Sequence, residues 1–364
     1  MKALCYMQPH RGGGVARHSV EMVSRLAGHQ EAHVAILASE PDLRRYPSFS
    51  SQFPDVPIRR LPWPGKFQER IWKMAGWPPL TGRCQGFDAV YSPAEVRLPE
   101  CGVPRLVTIH DVQALEESLP WSHTRQHQIF RRKWLQWLPK VIQEAARILT
   151  VSEFSKQRLV SLLNAPAEKI VVVGNGVSET FTTAAHGVPP KTRHAIVVIG
   201  GLREKKGAAA TLAVAAEIAS RGLPFTIEIY GQHDATWAEA AKAHANVRLH
   251  GYAADEAVAN ALRCATALLF LSPYEGFGIP ALEAMAAGSP AIVSNAASLP
   301  EVAGDAGIVV DPADTSSVVD VLARLAEDDE WRNDWIRKGH ERAAYFTWDR
   351  CVDRLVHALR DVTT

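Results

Sequence analysis

Residues 267–294, ALLFLSPYEGFGIPALEAMAAGSPAIVS, combine two apolar runs of strand length with a loop and a short helical pattern. Pro280 suits the first helical position and Gly288 the residue just past a helix end, so we predict a helix over residues 280–287. Two near-continuous apolar strands joined through a helix indicate a parallel sheet covered on both faces. This stretch therefore predicts an α/β fold.

Similar strand–helix units recur in both halves of the chain. Their apolar runs are KALCYM (2–7), RLVTIHD (105–111), RILTVS (147–152), IVVVGN (170–175), AIVVIGG (195–201), FTIEIYG (225–231), VRLHGY (247–252) and AGIVVDP (306–312). Between the two series, TTAAHGVPPKTR (182–193) is polar and aperiodic and contains two prolines, which is typical of an interdomain linker. We therefore predict two Rossmann-like, doubly wound parallel-sheet domains, at residues 1–185 and 186–345.

The composition narrows the class of protein. A chain of 364 residues with 47% hydrophobic residues, 22% charged residues and a net charge of +1 predicts a soluble globular protein without a nucleic-acid partner. Its five cysteines are scattered with no C-x-x-C pair, which argues against a zinc site or a disulfide framework. The apolar start MKALCYM is too short for a signal peptide. These features predict a cytoplasmic protein.

Two glutamates bracket the start of the predicted helix. Glu275 lies in the preceding loop and Glu283 in the first turn, beside backbone N–H groups that carry partial positive charge. Such N–H groups bind anions, and carboxylates accept hydrogen bonds from sugar hydroxyls. Either glutamate alone could be there because of the helix dipole. The whole string indicates a site for a sugar and a phosphate.

The string from Glu275 to Glu283 resembles the Glu-x7-Glu signature of family 4 glycosyltransferases. The resemblance implies the GT-B architecture, in which two Rossmann-like domains face each other across a cleft and a terminal helix, here residues 346–364, crosses back to the N-terminal domain. It also implies that Glu275 lies near the donor sugar and the reacting centre, whereas Glu283 binds the ribose hydroxyls. The other residues of this half predicted to bind the donor are Gly276, Phe277, Gly278, Ile279 and Tyr252.

Two cations are predicted to stabilise a departing diphosphate, on which negative charge grows as the glycosidic bond breaks. Arg203 and Lys206 lie in IGGLREKKG, between a strand and a helix, where such folds bind phosphate. The family has an arginine directly after the glycine of this loop, but Gly201 occupies that position here. Lys206 matches the family's lysine, and either Arg203 or Lys205 supplies the second charge.

The N-terminal half contributes further candidates. His110 and Asp111 end an apolar run at the ligand-facing edge of the sheet. The resemblance implies that His110 contacts the donor sugar and responds to positive charge at its anomeric carbon, whereas Asp111 is a candidate helix cap. The Gly-rich loop after the first strand suggests that Gly13 and Gly14 contact the diphosphate, with a tight turn as the alternative. The predicted catalytic residues are His110, Arg203, Lys206 and Glu275.

No D-x-D string and no H-E-x-x-H spacing occurs in the sequence, so we expect no essential metal and no cofactor. Six of the ten tryptophans lie between residues 61 and 140, and IFRRKWLQWLPK (129–140) mixes two of them with basic residues. Three arrangements fit this mixture. They are contact with the anionic inner face of the cytoplasmic membrane, an acceptor groove, and a core helix with one basic face.

The sequence thus predicts a retaining hexosyltransferase with a nucleotide diphosphate sugar donor and a saccharide or lipid-linked acceptor. GDP-mannose is the favoured donor, because the His-Asp pair and ASLPEVAGDAG (297–307) resemble those of polysaccharide and O-antigen mannosyltransferases. The alternatives are a UDP-sugar-dependent glucosyltransferase, a disaccharide synthase or phosphorylase, an epimerase, and a nucleotide-sugar-binding scaffold protein without activity.

Overall fold

The computed structural model describes residues 1–10, 12–184 and 194–363. The chain divides into two compact units, of which the first contains Met1–Asn175 together with Trp348–Thr364 and the second contains Gly176–Thr347. Each has its own parallel sheet. The prediction of an α/β fold with two doubly wound parallel-sheet domains is confirmed.

The first unit contains a seven-stranded sheet in the order β3-β2-β1-β4-β5-β6-β7, in which all pairs are parallel. Its strands are β1 (Lys2–Tyr6), β2 (His33–Ser39), β3 (Ile58–Leu61), β4 (Ala89–Ser92), β5 (Arg105–Thr108), β6 (Arg147–Thr150) and β7 (Ile170–Val172). Its helices are α1 (Gly13–Gly28), α2 (Glu40–Arg45), α3 (Ser48–Ser51), α4 (Gly65–Ala75), α5 (Thr81–Cys84), α6 (Arg125–Glu144), α7 (Glu153–Leu163) and α16 (Trp348–Thr363).

The C-terminal helix α16 is amphipathic. Its buried residues Trp348, Val352, Leu355 and Leu359 recur every three or four positions and therefore form one apolar face. This face joins the core of the first unit, where α16 packs against α1. Burial of this stripe explains why the last seventeen residues group with the first unit rather than with the residues that precede them.

The second unit contains a six-stranded sheet in the order β10-β9-β8-β11-β12-β13, again with all pairs parallel. Its strands are β8 (Ala195–Ile199), β9 (Thr226–Tyr230), β10 (Val247–Leu249), β11 (Ala267–Phe270), β12 (Ala291–Ser294) and β13 (Ile308–Val310). Its helices are α8 (Glu179–Ala184), α9 (Ala208–Ser220), α10 (Ala235–Ala241), α11 (Asp255–Cys264), α12 (Ile279–Ala286), α13 (Leu299–Ala303), α14 (Thr315–Glu327) and α15 (Asp329–Tyr345).

The division between the units differs from the boundary at residue 185 given by the sequence. The first unit ends at Asn175, because α8 packs against α11 and α12 of the second unit. Likewise, the second unit extends to Thr347 rather than to residue 345. Residues 185–193 of the predicted linker lie outside the described residues.

Candidate active site

Residues 273–278, in the loop between β11 and α12, are called here the Glu275 loop. It ends at Gly278, whose φ of 109° is unfavourable for residues with a side chain. A Cβ atom at this position would lie 2.5 Å from Leu299 Cδ2, so space also requires glycine. Helix α12 then begins at Ile279, with Pro280 in its first turn. The observed helix, Ile279–Ala286, agrees with the predicted one to within a residue at each end.

Lys206 and Glu275 form an ion pair in the second unit. Lys206 Nζ lies 2.6 Å from Glu275 Oε1, and the two side chains are 29% and 14% exposed. The lysine amine also lies 5.9 Å from the ring centre of Phe270, the last residue of β11. The pair joins the loop after β8 to the Glu275 loop, so the structure brings together two of the four predicted catalytic residues.

The other predicted residues of this half lie on or near the Glu275 loop. Glu283 is buried within α12, and Phe277 packs edge-to-face against Phe346. Tyr252, in contrast, is almost fully exposed after β10. A ring this exposed is not held in one orientation by neighbouring side chains.

The loop after β8, residues 200–207, is called here the β8 loop. Gly201 has a φ of 80°, and a Cβ atom on it would lie only 1.6 Å from the carbonyl oxygen of Gln232. With this backbone, no side chain fits where the family has arginine. Gly207, which precedes α9, is similarly enclosed, because its Cβ would lie 2.1 Å from the carbonyl oxygen of Leu271.

Arg203 points towards Asp234 rather than towards Glu275. Its Nε lies 3.6 Å from Asp234 Oδ1, and the two side chains are 42% and 48% exposed. Asp234 Oδ2 also accepts the N–H of Glu204 at 3.3 Å. Nearby, His233 Nδ1 accepts the N–H of Leu202, so its other ring nitrogen donates to the carbonyl of His250. His233 and Asp234, which fix the β8 loop, were not singled out from the sequence.

In the first unit, His110 is buried just after β5. Its N–H donates to Glu95 Oε1 and its ring Nε2 donates to the carbonyl of Pro93, both at 2.9 Å. Because a carbonyl oxygen can only accept, the second bond requires a proton on Nε2. Asp111 Oδ1 accepts the N–H of Gln113, the first residue of a short 3₁₀ turn, whose cap position is Val112 rather than Asp111.

His18 on α1 packs edge-to-face on His110, with ring centres 4.6 Å apart. Its Nδ1 lies 2.7 Å from Asn175 Oδ1. Burial, followed by the nearby His110, holds the pKa of His18 well below its usual 6.5. This histidine was not singled out from the sequence, because its partners are far away along the chain.

The Gly-rich loop precedes α1, whose first residue is Gly13. A Cβ on Gly13 or Gly14 would meet no atom within 4 Å, and both residues are exposed. Gly13 has a φ of 68°, and no side chain caps the helix. The first N–H groups of α1 are therefore accessible.

The metal-ligating side chains, the cysteines and the clustered tryptophans were considered as groups in the sequence, and the structure describes most of their members. Within the described residues, no cluster of three or more His, Cys, Asp or Glu residues has the arrangement of a metal site. The five cysteines are free thiols. Of the six clustered tryptophans, Trp72, Trp121 and Trp137 are buried in the first unit, whereas Trp77 is 60% exposed. No helix in the described part is long and apolar enough to cross a membrane.

Two family models match adjacent parts of the chain. The model described as Glycosyltransferase Family 4 matches residues 12–181, and the model described as Glycosyl transferases group 1 matches residues 180–342. The chain belongs to glycosyltransferase family 4. It is an enzyme of the transferase class.

Relatives of this glycosyltransferase cover nearly its whole length. It is 27% identical to the O-antigen chain mannosyltransferase B of Escherichia coli, over 95% of this chain and 96% of the relative. It is also 27% identical to the MMP alpha-(1->4)-mannosyltransferase of Mycolicibacterium hassiacum, over 88% and 82% of the two chains. Both are named as mannosyltransferases.

The fold is shared with the solved structure of WaaG, a glycosyltransferase involved in lipopolysaccharide biosynthesis, which matches with a TM-score of 0.67 over 100% of both chains at 15% identity. The Anabaena protein Alr3699/HepE, solved in complex with UDP and glucose, matches with a TM-score of 0.68 over 99% of both chains at 14% identity. The glycosyltransferase thus has the GT-B fold, as predicted.

Proposed function

We propose that this enzyme transfers mannose from GDP-mannose to a saccharide or lipid-linked saccharide, with retention of the anomeric configuration. The observation that carries the proposal is the Lys206–Glu275 ion pair beside the first turn of α12. It sets a cation, a carboxylate and uncapped helix N–H groups next to one another, which suits a sugar joined to a diphosphate. The two relatives named as mannosyltransferases support mannose as the sugar.

The proposed reaction is a front-face displacement. The acceptor hydroxyl oxygen forms a bond to the anomeric carbon on the face from which the diphosphate leaves. The bond between that carbon and the phosphate oxygen breaks, its electron pair remains on the diphosphate, and the hydroxyl proton passes to a diphosphate oxygen. Attack and departure on the same face retain the configuration.

The side chains have separate roles in this proposal. Lys206 and Arg203 stabilise the charge that grows on the leaving diphosphate, in the place of a metal ion. To reach the diphosphate, Arg203 leaves Asp234, with which its contact is weak, and pairs with the more strongly charged phosphate. Glu275 orients the sugar, Glu283 binds the ribose hydroxyls, and His110 supports the positive charge on the sugar.

Release of the nucleotide tests this proposal. The enzyme is incubated with GDP-mannose in EDTA, with and without mannose-terminated oligosaccharides, and the GDP formed is measured. The proposal predicts GDP release that depends on the acceptor and continues in EDTA. Release only after addition of Mg²⁺ or Mn²⁺ would contradict the metal-free mechanism, and no release with any acceptor would contradict the mannosyl donor.

A UDP-sugar-dependent glucosyltransferase is the second candidate. The UDP and glucose in the Anabaena neighbour favour it, although that neighbour is only 14% identical to this chain. The same assay with UDP-glucose separates the two candidates by the nucleotide released. With a sugar phosphate or inorganic phosphate as the acceptor, it also identifies a disaccharide synthase or phosphorylase.

The first unit suggests that the enzyme works at the inner face of the cytoplasmic membrane. Large apolar side chains are exposed on and after α4 and on α6: Phe67, Met74, Trp77, Ile129, Phe130 and Leu135. The two helices adjoin, because Lys73 of α4 lies 4.4 Å from the ring of Trp137 of α6. Arg132 and Lys133 add exposed positive charge to α6. Exposed apolar and basic side chains together favour an anionic membrane surface.

Sedimentation with phosphatidylglycerol liposomes tests this surface. Binding is expected at low salt and should weaken at high salt, because the basic residues contribute through screened charges. The double change Arg132→Glu and Lys133→Glu should abolish it, whereas Lys242→Glu on an exposed face of the second unit serves as the control. If the wild type does not bind at low salt, the membrane proposal is wrong.

A further inference from the structure

Two buried serine side chains hold the backbone of the Glu275 loop. Ser298 Oγ lies 2.8 Å from the carbonyl oxygens of both Glu275 and Phe277, so its single hydroxyl hydrogen is shared between them. Ser272 Oγ lies 3.2 Å from the carbonyl oxygen of Tyr274. Both serines are fully buried. Three carbonyl groups of the loop, those of Tyr274, Glu275 and Phe277, thus bond to hydroxyls of the interior.

Ser272 also links the loop to its neighbour. Its Oγ lies 3.0 Å from the carbonyl oxygen of Lys205, which precedes the ion-paired Lys206. The same buried hydroxyl therefore contacts the backbone on both sides of the Lys206–Glu275 pair. This connection fixes the position of the β8 loop relative to the Glu275 loop.

The orientation of these carbonyl groups affects the binding of an anion by the loop. A carbonyl oxygen carries partial negative charge and repels phosphate, whereas an N–H group attracts it. Phe277 and Gly278 are buried, and within residues 1–10, 12–184 and 194–363 we find no acceptor for their N–H groups. Such N–H groups are available to bond to the oxygen atoms of a ligand.

We propose that Ser298 is a positioning residue for diphosphate binding: it draws the carbonyls of Glu275 and Phe277 into the interior, so that the loop presents N–H groups to a nucleoside diphosphate. This rests on the proposed function for the identity of the ligand. Ser298 itself does not touch the substrate. Its hydroxyl acts through the loop backbone, on which Glu275 also depends for its orientation.

The test compares two buried serines of the second unit. Ser298→Ala removes the shared hydroxyl. Ser289→Ala is the matched control, because Ser289 is equally buried and its Oγ has no hydrogen-bond partner within the described residues. The binding of GDP and of UDP is measured by calorimetry for both variants and the wild type. Hydrogen exchange is followed in peptides covering residues 272–283.

Ser298→Ala should weaken nucleoside diphosphate binding by about tenfold, the effect of losing roughly one hydrogen bond. It should also accelerate exchange in the Glu275 loop while the midpoint of thermal unfolding stays close to that of Ser289→Ala. Equal binding and equal loop exchange in the two variants would overturn the proposal. If the wild type binds neither nucleotide, this proposal and the proposed function both fail. Binding without mannosyl transfer contradicts only the donor assignment.

Discussion

Lys206 Nζ and Glu275 Oε1 lie 2.6 Å apart, and this contact joins the two loops on which the proposed chemistry depends. The partly buried pair keeps each charge compensated while no donor is bound. A donor diphosphate offers the lysine a larger negative charge. In the proposed mechanism, Lys206 turns to the diphosphate, and the carboxylate of Glu275 then accepts a hydrogen bond from a sugar hydroxyl.

Replacing Lys206 by alanine should mainly slow turnover. The proposed role of this lysine is strongest when charge accumulates on the departing diphosphate, so kcat should fall by about 10²- to 10³-fold with a smaller change in KM. Lys242→Ala, which removes an exposed lysine elsewhere in the second unit, is the control. Equal kcat values for Lys206→Ala and the wild type would contradict the role given to Lys206.

Replacing Glu283 by alanine should mainly weaken donor binding. Loss of charged hydrogen bonds to ribose corresponds to about 1.5–3 kcal/mol, which is roughly a 10- to 150-fold rise in the donor Kd. Titration with GDP and with pyrophosphate separates the roles, because pyrophosphate has no ribose. The assignment is wrong if both ligands lose affinity equally.

Restoring the family arginine at Gly201 should not improve the enzyme. A Cβ there would overlap the carbonyl oxygen of Gln232, so Gly201→Ala and Gly201→Arg should each lower the free energy of unfolding by more than about 3 kcal/mol. Gly222 also has a positive φ, of 63°, but its Cβ would point into open space. Gly222→Ala should therefore cost only about 1–2 kcal/mol. Urea unfolding of the three variants measures the difference.

Buried His18 should make stability depend on pH. Its folded-state pKa lies well below 6.5, so below about pH 6.5 the unfolded chain binds a proton that the folded chain does not. Stability is fully present above this pH and falls as the pH decreases, by up to about 1.4 kcal/mol per pH unit from this group. The measurement is urea unfolding of the wild type and His18→Asn between pH 5 and 8. A constant difference over that range would contradict the prediction.

The sequence was most informative where structure depends on local chemistry. Residues 267–294 predicted both strands, and they predicted the helix α12 to within a residue at each end, because prolines, glycines and apolar runs act on their own neighbourhood. The partners of the site were less predictable. Gln232 excludes a side chain at Gly201, and Ser298 holds a loop more than twenty residues before it. Such contacts depend on which strands end next to each other in the sheet, and this order is not evident from the sequence alone.

The stereochemistry of transfer tests the central claim most directly. GDP-α-mannose and a mannose-terminated oligosaccharide are incubated with the enzyme, and the anomeric proton of the first-formed product is followed by NMR spectroscopy. The account predicts an α-linked mannosyl product that forms together with GDP and is strongly reduced with Lys206→Ala. A β-linked product, or an α-linked product formed equally fast by Lys206→Ala, would contradict it.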